Sequence, residues 1–265
     1  MTSALLLLAD GRFPAGGHAH SSGLEAAVAA GRVSSLSTLE SFLLGRLYTT
    51  GLVTAAFAAA SHHAAAHPAT STAAAHPAAQ GAAAAHLATP SGAVEGGSVP
   101  RLGDMECAAG SEVLLQLDEE LEARMASPAT RVASRKQGAA LLRAAKMVWP
   151  GDGYGLLPQR RDGVHHAVVL GVTAAAAGLS CAEAALIACY SQVTGQASAA
   201  LRLLGFSPYD IQRLLAQLAG QCDAVAMAAT AHAGKDPAEL PMFSSPLADI
   251  SAELHATWEV RLFAS

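Results

Sequence analysis

Aromatic residues, charges, paired cysteines and strand-like alternation are all scarce in this chain. Phe, Trp and Tyr make up 5% of its 265 residues, and Asp, Glu, Lys and Arg 14%. Cys107, Cys181, Cys189 and Cys222 form no C-x-x-C pair. That removes a zinc ribbon or a thiol redox motif and fits reduced thiols better than a disulfide frame. A formal charge of -5 without a local basic run argues against nucleic acid, whose affinity rests on neutralised phosphates. No positively charged leader precedes the first leucines, and Asp10 ends that run, so no signal peptide is expected. The apolar run 167–182 is short and mostly small, which predicts a buried core helix and no membrane span.

What is abundant is alanine, within a 52% hydrophobic composition. Alanine is the best helix former and adds little side-chain area, so close-packed helices are expected. Starts are marked by S-x-x-E at Ser22–Glu25, Ser37–Glu40 and Ser180–Glu183, the spacing of a capping box. Ser207 and Ser245 each precede a proline at a first helical position, and Ser127-Pro128 divides 111–149 into two helices. Stops fall at Gly31, Trp149-Pro150-Gly151, Gly205 and Gly234. The pattern predicts helices near 2–9, 22–30, 37–62, 108–126, 129–149, 164–178, 181–204, 208–232 and 246–260. An all-α fold is expected, one compact domain over 1–265. Residues 61–100, almost uncharged and rich in Ala, His, Pro, Gly, Ser and Thr, read as a low-complexity insertion in it. Of its five histidines only His63 and His67 have chelating i, i+4 spacing, and Pro68 pushes His67 out of helical geometry.

Candidate chemistry concentrates in the stretch LLLLADGRFPAGGHAHSSGLE, Leu5 to Glu25. Gly11 to Gly16 has the glycine spacing of a P-loop, but Gly17 and His18 stand where Lys and Ser/Thr are needed, and no strand precedes it. His18 and His20 could reach one ion, yet a metal site needs a third ligand and outer support. His165-His166 is an adjacent pair at the start of an apolar helix, read as a capping or core-edge pair. There is no G-x-S-x-G elbow, and no cysteine lies in an evident electropositive setting. No catalytic residue and no metal ligand is assigned. The residues by themselves point to a helical binding protein.

That opening stretch resembles the N-terminal signature of the UreF family of urease accessory proteins. The matching positions are Leu5, Leu6, Leu8, Asp10, Pro14, Gly16, Gly17, His20, Ser21, Gly23, Leu24 and Glu25. Similar stretches follow in the family's order: ASRKQGAALLRAA (133–145), HHAVVLGVTAAAAGLS (165–180), SQVTGQASAALRLL (191–204) and EVRLFAS (259–265). The family usually has Phe or Tyr where this chain has His18, and its pattern assigns the Ala/His segment no role. The resemblance implies an all-α, dimeric, cytoplasmic chaperone without catalysis or a stably bound cofactor. It would act with UreD (also called UreH) and the GTPase UreG to insert nickel into apo-urease. Nickel and GTP are then implied only through partners, with no nucleic acid or membrane.

On that resemblance the partner-binding residues are Pro14, Gly16, Gly17, His18, His20, Ser21 and Glu25, with Arg261, Leu262 and Phe263 of the tail. Gly16 and Gly17 would let partner backbone approach closely; the bland alternative is a connector in which His20 caps the next helix. The tail is expected to dock a partner and contribute little to the fold, the alternative being that Leu262 and Phe263 fold back on the core. Two other classes stay open: a metal-dependent enzyme using His18, His20, His165 and His166, or a purely structural helical oligomer.

Overall fold

A computed structural model describes residues 2–15, 20–67 and 102–263, the side chains of Thr2 and 102–108 excepted. The expected positions Gly16, Gly17 and His18, and the Ala/His segment from Pro68 to 101, lie outside the described residues. Among the described residues every regular element is helical, in the order α1 (Thr2–Ala9), α2 (Leu24–Ala29), α3 (Leu36–Arg46), a π turn (Leu47–Gly51), α4 (Leu52–Ala66), α5 (Leu102–Arg124), α6 (Pro128–Val148), α7 (His166–Ala176), α8 (Cys181–Leu204), α9 (Pro208–Thr230) and α10 (Pro246–Ala256). Short 3-10 turns lie at Asp152–Leu156 and Pro237–Glu239. The fold is all-α, as the alanine content and the stops predict.

The centre is α4, packed on α5, α7, α8 and α9. Val53, Ala55 to Ser61, His62 and Ala64 are buried, so this helix is covered almost all round. A helix wrapped by others needs small residues, because each neighbour must approach the backbone itself. The tightest approach is to α7, where Ala167 to Thr173 and Ala174 are all buried. A Cβ on Gly171 would stand 2.3 Å from the Ala58 carbonyl oxygen and 2.7 Å from the His62 amide nitrogen. The run 167–182 thus contains a core helix. The continuous helix Leu36–Ala66 is long and apolar enough to cross a membrane by composition, but half of its most apolar window is buried in the fold.

Several local expectations are corrected. The low-complexity segment does not begin at Ser61: Ser61 to Ala66 complete α4, with Ser61, His62 and Ala64 buried. Alanine and histidine look like filler in sequence, yet small residues are what a closely wrapped helix requires. His67 does leave helical geometry before Pro68, and its ring stacks on His63 at 4.9 Å. The Ser37–Glu40 box is replaced by Ser35–Thr38, whose hydroxyls each bond the other's backbone N–H. Ser180–Glu183 caps α8 as expected. Ser127 accepts from Thr130 N–H at the start of α6, whereas Ser207 and Ser245 make no side-chain cap. Gly205 closes α8 in the left-handed region, φ 64°.

The α4–α7 contact yields a direct expectation. Gly171→Ala places a methyl against backbone that cannot swing aside, an overpacking of about 3 kcal/mol. Its melting temperature should fall by about 6–12 °C. Gly220→Ala, where nothing lies within 4 Å of the added carbon, should be neutral or slightly stabilising. Equal melting of both variants would contradict the packing argument.

Candidate functional site

The two ends of the sequence meet. Ser22 (φ 50°) and Gly23 (φ 88°) bend the chain into α2, beside Ala248 of α10. That bend defeats the Ser22–Glu25 capping box: Ser22 makes no cap, and it is the Ser21 hydroxyl that accepts from the Glu25 N–H, at 3.4 Å. The Glu25 side chain turns inward instead. Its Oε1 accepts from the Leu262 N–H at 2.9 Å, and its Oε2 from the Phe263 N–H at 3.0 Å and from His255 Nε2 at 2.9 Å. A carboxylate only accepts, so the His255 nitrogen facing it carries the proton.

These bonds decide the fate of the expected tail. Phe263 is only 4% exposed and packs under the Arg202 guanidinium, 4.7 Å from its ring centre. The tail therefore contributes to the fold, correcting the expectation that it does not. Phe263, Ser21 and Glu25 are buried and offer no surface to a partner, because two tail amides and a histidine need an acceptor away from water. Leu262 is 69% exposed, and Arg261 and Pro14 are also exposed.

Above this clamp lies α10, tied down along one face. Arg32 Nη2 donates to the Ser251 hydroxyl at 2.7 Å, and Glu253 accepts from the Ala129 N–H at 2.8 Å at the start of α6. The Thr49 and Ser245 hydroxyls meet at 2.8 Å. Ser251, Ala252 and His255 are buried. On the other face Leu247, Ile250 and Leu254 are exposed, at spacings of three and four that align them in one row. Met242, Phe243 and Val260 are exposed just before and after the helix. Sequence reasoning missed this row, although its apolar spacing on a short helix was visible.

Of the four histidines of the metal-enzyme alternative, His18 lies outside the described residues, and the other three are not gathered into one site. His165 is fully buried and both ring nitrogens are engaged, Nε2 with Glu122 at 2.7 Å and Nδ1 with the Ser134 hydroxyl at 3.0 Å. It belongs to an ion network that joins α5, α6 and the start of α7. There Arg135 Nη1 meets Asp118 at 3.2 Å and Nη2 meets Glu122 at 2.6 Å, and the His165 N–H donates to Asp118 at 2.8 Å. Burial works against the Glu122 carboxylate, yet bonds from Arg135 and His165 overcome it and bring its pKa to about 2. Asp118/Glu122 and Arg131/Arg135 repeat at i, i+4 on consecutive helices, a charge pattern the sequence did carry. His20 and His166 instead line a separate cleft of about 1160 Å³, with Asp10, Phe13 and Arg46 among its walls. His20 does not cap α2, whose N-cap is Gly23. Among the described residues no three His, Cys, Asp or Glu side chains are placed to hold a metal ion.

Burial, and then the neighbouring His20, push the His166 pKa down to about 4. Between pH 6.5 and 4 the unfolded chain then binds a proton at this site that the folded chain does not. Stability from His166 is fully present above pH 6.5 and is lost as pH falls toward 4. Replacing it with glutamine should reduce the loss between pH 7 and pH 4.5 by about 2–3 kcal/mol. Urea unfolding at the two pH values measures this, and an unchanged loss in His166→Gln would contradict the assignment.

Comparison with known proteins bears on what this surface serves. The family model described as UreF matches residues 33–219, more than half of the chain. A urease accessory protein UreF from Mycolicibacterium vanbaalenii is 38% identical over 266 residues, covering 99% of this chain and 98% of its own. One from Mycobacterium sp. (strain JLS) is 37% identical over 263 residues, covering 99% and 98%. Another, from Mycobacterium tuberculosis (strain ATCC 25177 / H37Ra), is 36% identical over 267 residues, with full coverage of both. Likeness of that extent along the whole length leaves one assignment: the chain belongs to the UreF family of urease accessory proteins.

Proposed function

We propose that this chain is the helical adaptor of a urease-maturation complex. It would work as a homodimer in the cytoplasm with a UreD/UreH-like accessory protein and a UreG-like GTPase, delivering nickel as cargo to apo-urease. GTP turnover would belong to the partner, since no G-x-x-x-x-G-K-[ST] occurs in the sequence and the glycine-spaced opening loop, Gly11 to Gly16, lacks the lysine and hydroxyl that a nucleotide needs. The observation that carries the reading is the outward row Leu247, Ile250 and Leu254 on a helix whose other face is pinned. An exposed apolar row on a firmly held element marks an interaction surface. Leu262 and Arg261 extend it, and the opening loop with Pro14, Gly16, Gly17, His18 and His20 supplies a second contact. Glu25 and Phe263 serve it indirectly, by holding Leu262 outward.

Burying an aliphatic side chain is worth about 1.5–3 kcal/mol. After ordering costs, loss of all three should weaken docking by about 4 kcal/mol, roughly a thousandfold. The test is Leu247→Asp with Ile250→Asp and Leu254→Asp in the full chain, co-expressed with its UreD-like partner. Co-purification and urease activation should be lost while the melting temperature of the isolated chain moves by less than about 2 °C. A complex that survives at micromolar concentration would overturn the assignment of this face.

A further inference from the structure

Away from the joined ends, α4 and α8 bring together two residues 119 apart in sequence. Cys181 Sγ, at the first position of α8, lies 3.1 Å from His62 Nδ1 near the end of α4. The other ring nitrogen, His62 Nε2, lies 2.6 Å from the Leu179 carbonyl oxygen. A carbonyl can only accept, so Nε2 carries the proton and Nδ1 faces the thiol with a free lone pair. A nucleophile, a base within hydrogen-bond reach and a third group that fixes the base's tautomer make up the arrangement that activates thiols. Cys181 is half-buried, whereas Cys189 and Cys222 are 0% and 4% exposed and have no such neighbour among their bonds. The other titratable groups facing the histidine are Glu183 on α8, which favours its charged form, and His67 just past the end of α4, which opposes it; His63 is adjacent in sequence.

We propose that Cys181 and His62 form a base-assisted nucleophilic thiol, a modification site for small hydroperoxides. As Sγ attacks the terminal peroxide oxygen, an S–O bond forms and the O–O bond breaks. The thiol proton passes to His62 Nδ1 and then to the departing hydroxide or alkoxide, giving water or an alcohol. The sulfur is oxidised to a sulfenic acid and the peroxide is reduced. Leu179 holds the imidazolium through the step, and Glu183 offsets its charge.

The pair rests as a neutral thiol beside a neutral imidazole: burial raises the Cys181 pKa and lowers that of His62. With its pKa lowered from 6.5 by burial, most of the base is still unprotonated at pH 6.5. The peroxide rate of Cys181 should therefore fall less than about threefold from pH 8 to pH 6.5. An unassisted thiol of pKa about 8.5 falls about twentyfold over the same range, with its thiolate.

The test uses the full chain carrying Cys107→Ser, treated with hydrogen peroxide at each pH. Catalase stops the reaction, remaining thiols are alkylated at pH 8, and each cysteine peptide is counted by mass spectrometry. Cys181 should be lost at least tenfold faster than Cys189 and Cys222, with the shallow pH profile. His62→Gln, which retains a donor toward Leu179 but has no base at Nδ1, should slow it at least tenfold and restore the steep profile. The proposal is overturned if Cys181 reacts no faster than Cys189, or if its rate in the parent chain falls about twentyfold. The parent profile decides the matter even where the variant fails to fold, and nothing in the test involves urease.

Discussion

Glu25 sits where three donors from the far end of the chain need an acceptor, and the arrangement of the candidate docking face follows from that need. Desolvating a carboxylate costs several kcal/mol, which is recovered only when its lone pairs are well used. Here they receive the amides of Leu262 and Phe263 and the His255 ring. Removing the acceptor would leave buried donors unpaired, at about 1–3 kcal/mol each. One side chain on α2 thereby fixes the end of α10, sends Phe263 into the core and leaves Leu262 facing solvent. The apolar row on α10 is held at a set orientation by contacts on its opposite side, with Arg32 and Glu253 completing the attachment.

That surface stands on a rigid base. The α4–α7 crossing brings backbone against backbone at Gly171, and the Asp118–Arg135–Glu122–His165 network locks α5 and α6 to the start of α7. A second missing side chain, at Gly138, lets α6 close on the Val164 carbonyl beside that network; a Cβ there would lie 2.0 Å from the oxygen. The stretch 133–145 thus supplies both the arginine and the gap that seats it. At Gly138 and Gly171 backbone approaches backbone, each contact needing a glycine at one place. Binding surfaces work best on such supports, because ordering costs are met in folding and not at docking.

The helices were largely legible because their signals are local. Ser180–Glu183 and Gly205 report α8 within a few residues of its ends, and Trp149-Pro150-Gly151 reports the end of α6. The site was not legible in the same way. Ser22-x-x-Glu25 has the spacing of a capping box, but the Glu25 side chain bonds groups 230, 237 and 238 residues away. Such separations leave no mark in a four-residue window, and the long-range partner prevails over the local one. Cys181 and His62 were hidden for the same reason, and His62 also by the assignment of its neighbourhood to low-complexity sequence. The likeness at both chain ends placed Ser21, Glu25 and Phe263 on a partner-binding surface, whereas all three are buried. A motif is blind to burial, and burial separates side chains open to a partner from those that only hold the chain in place.

The account depends most on Glu25 as the holder of the C-terminal segment, and amide hydrogen exchange measures that directly. In the parent chain the amides of Leu262 and Phe263 should exchange slowly, far more so than those of neighbouring exposed Val260 and Arg261. In Glu25→Ala they should exchange at least a hundredfold faster, while the buried amides of α4 and α7 keep their protection. Fast exchange at Leu262 and Phe263 in the parent, or protection that survives the substitution, would contradict the account.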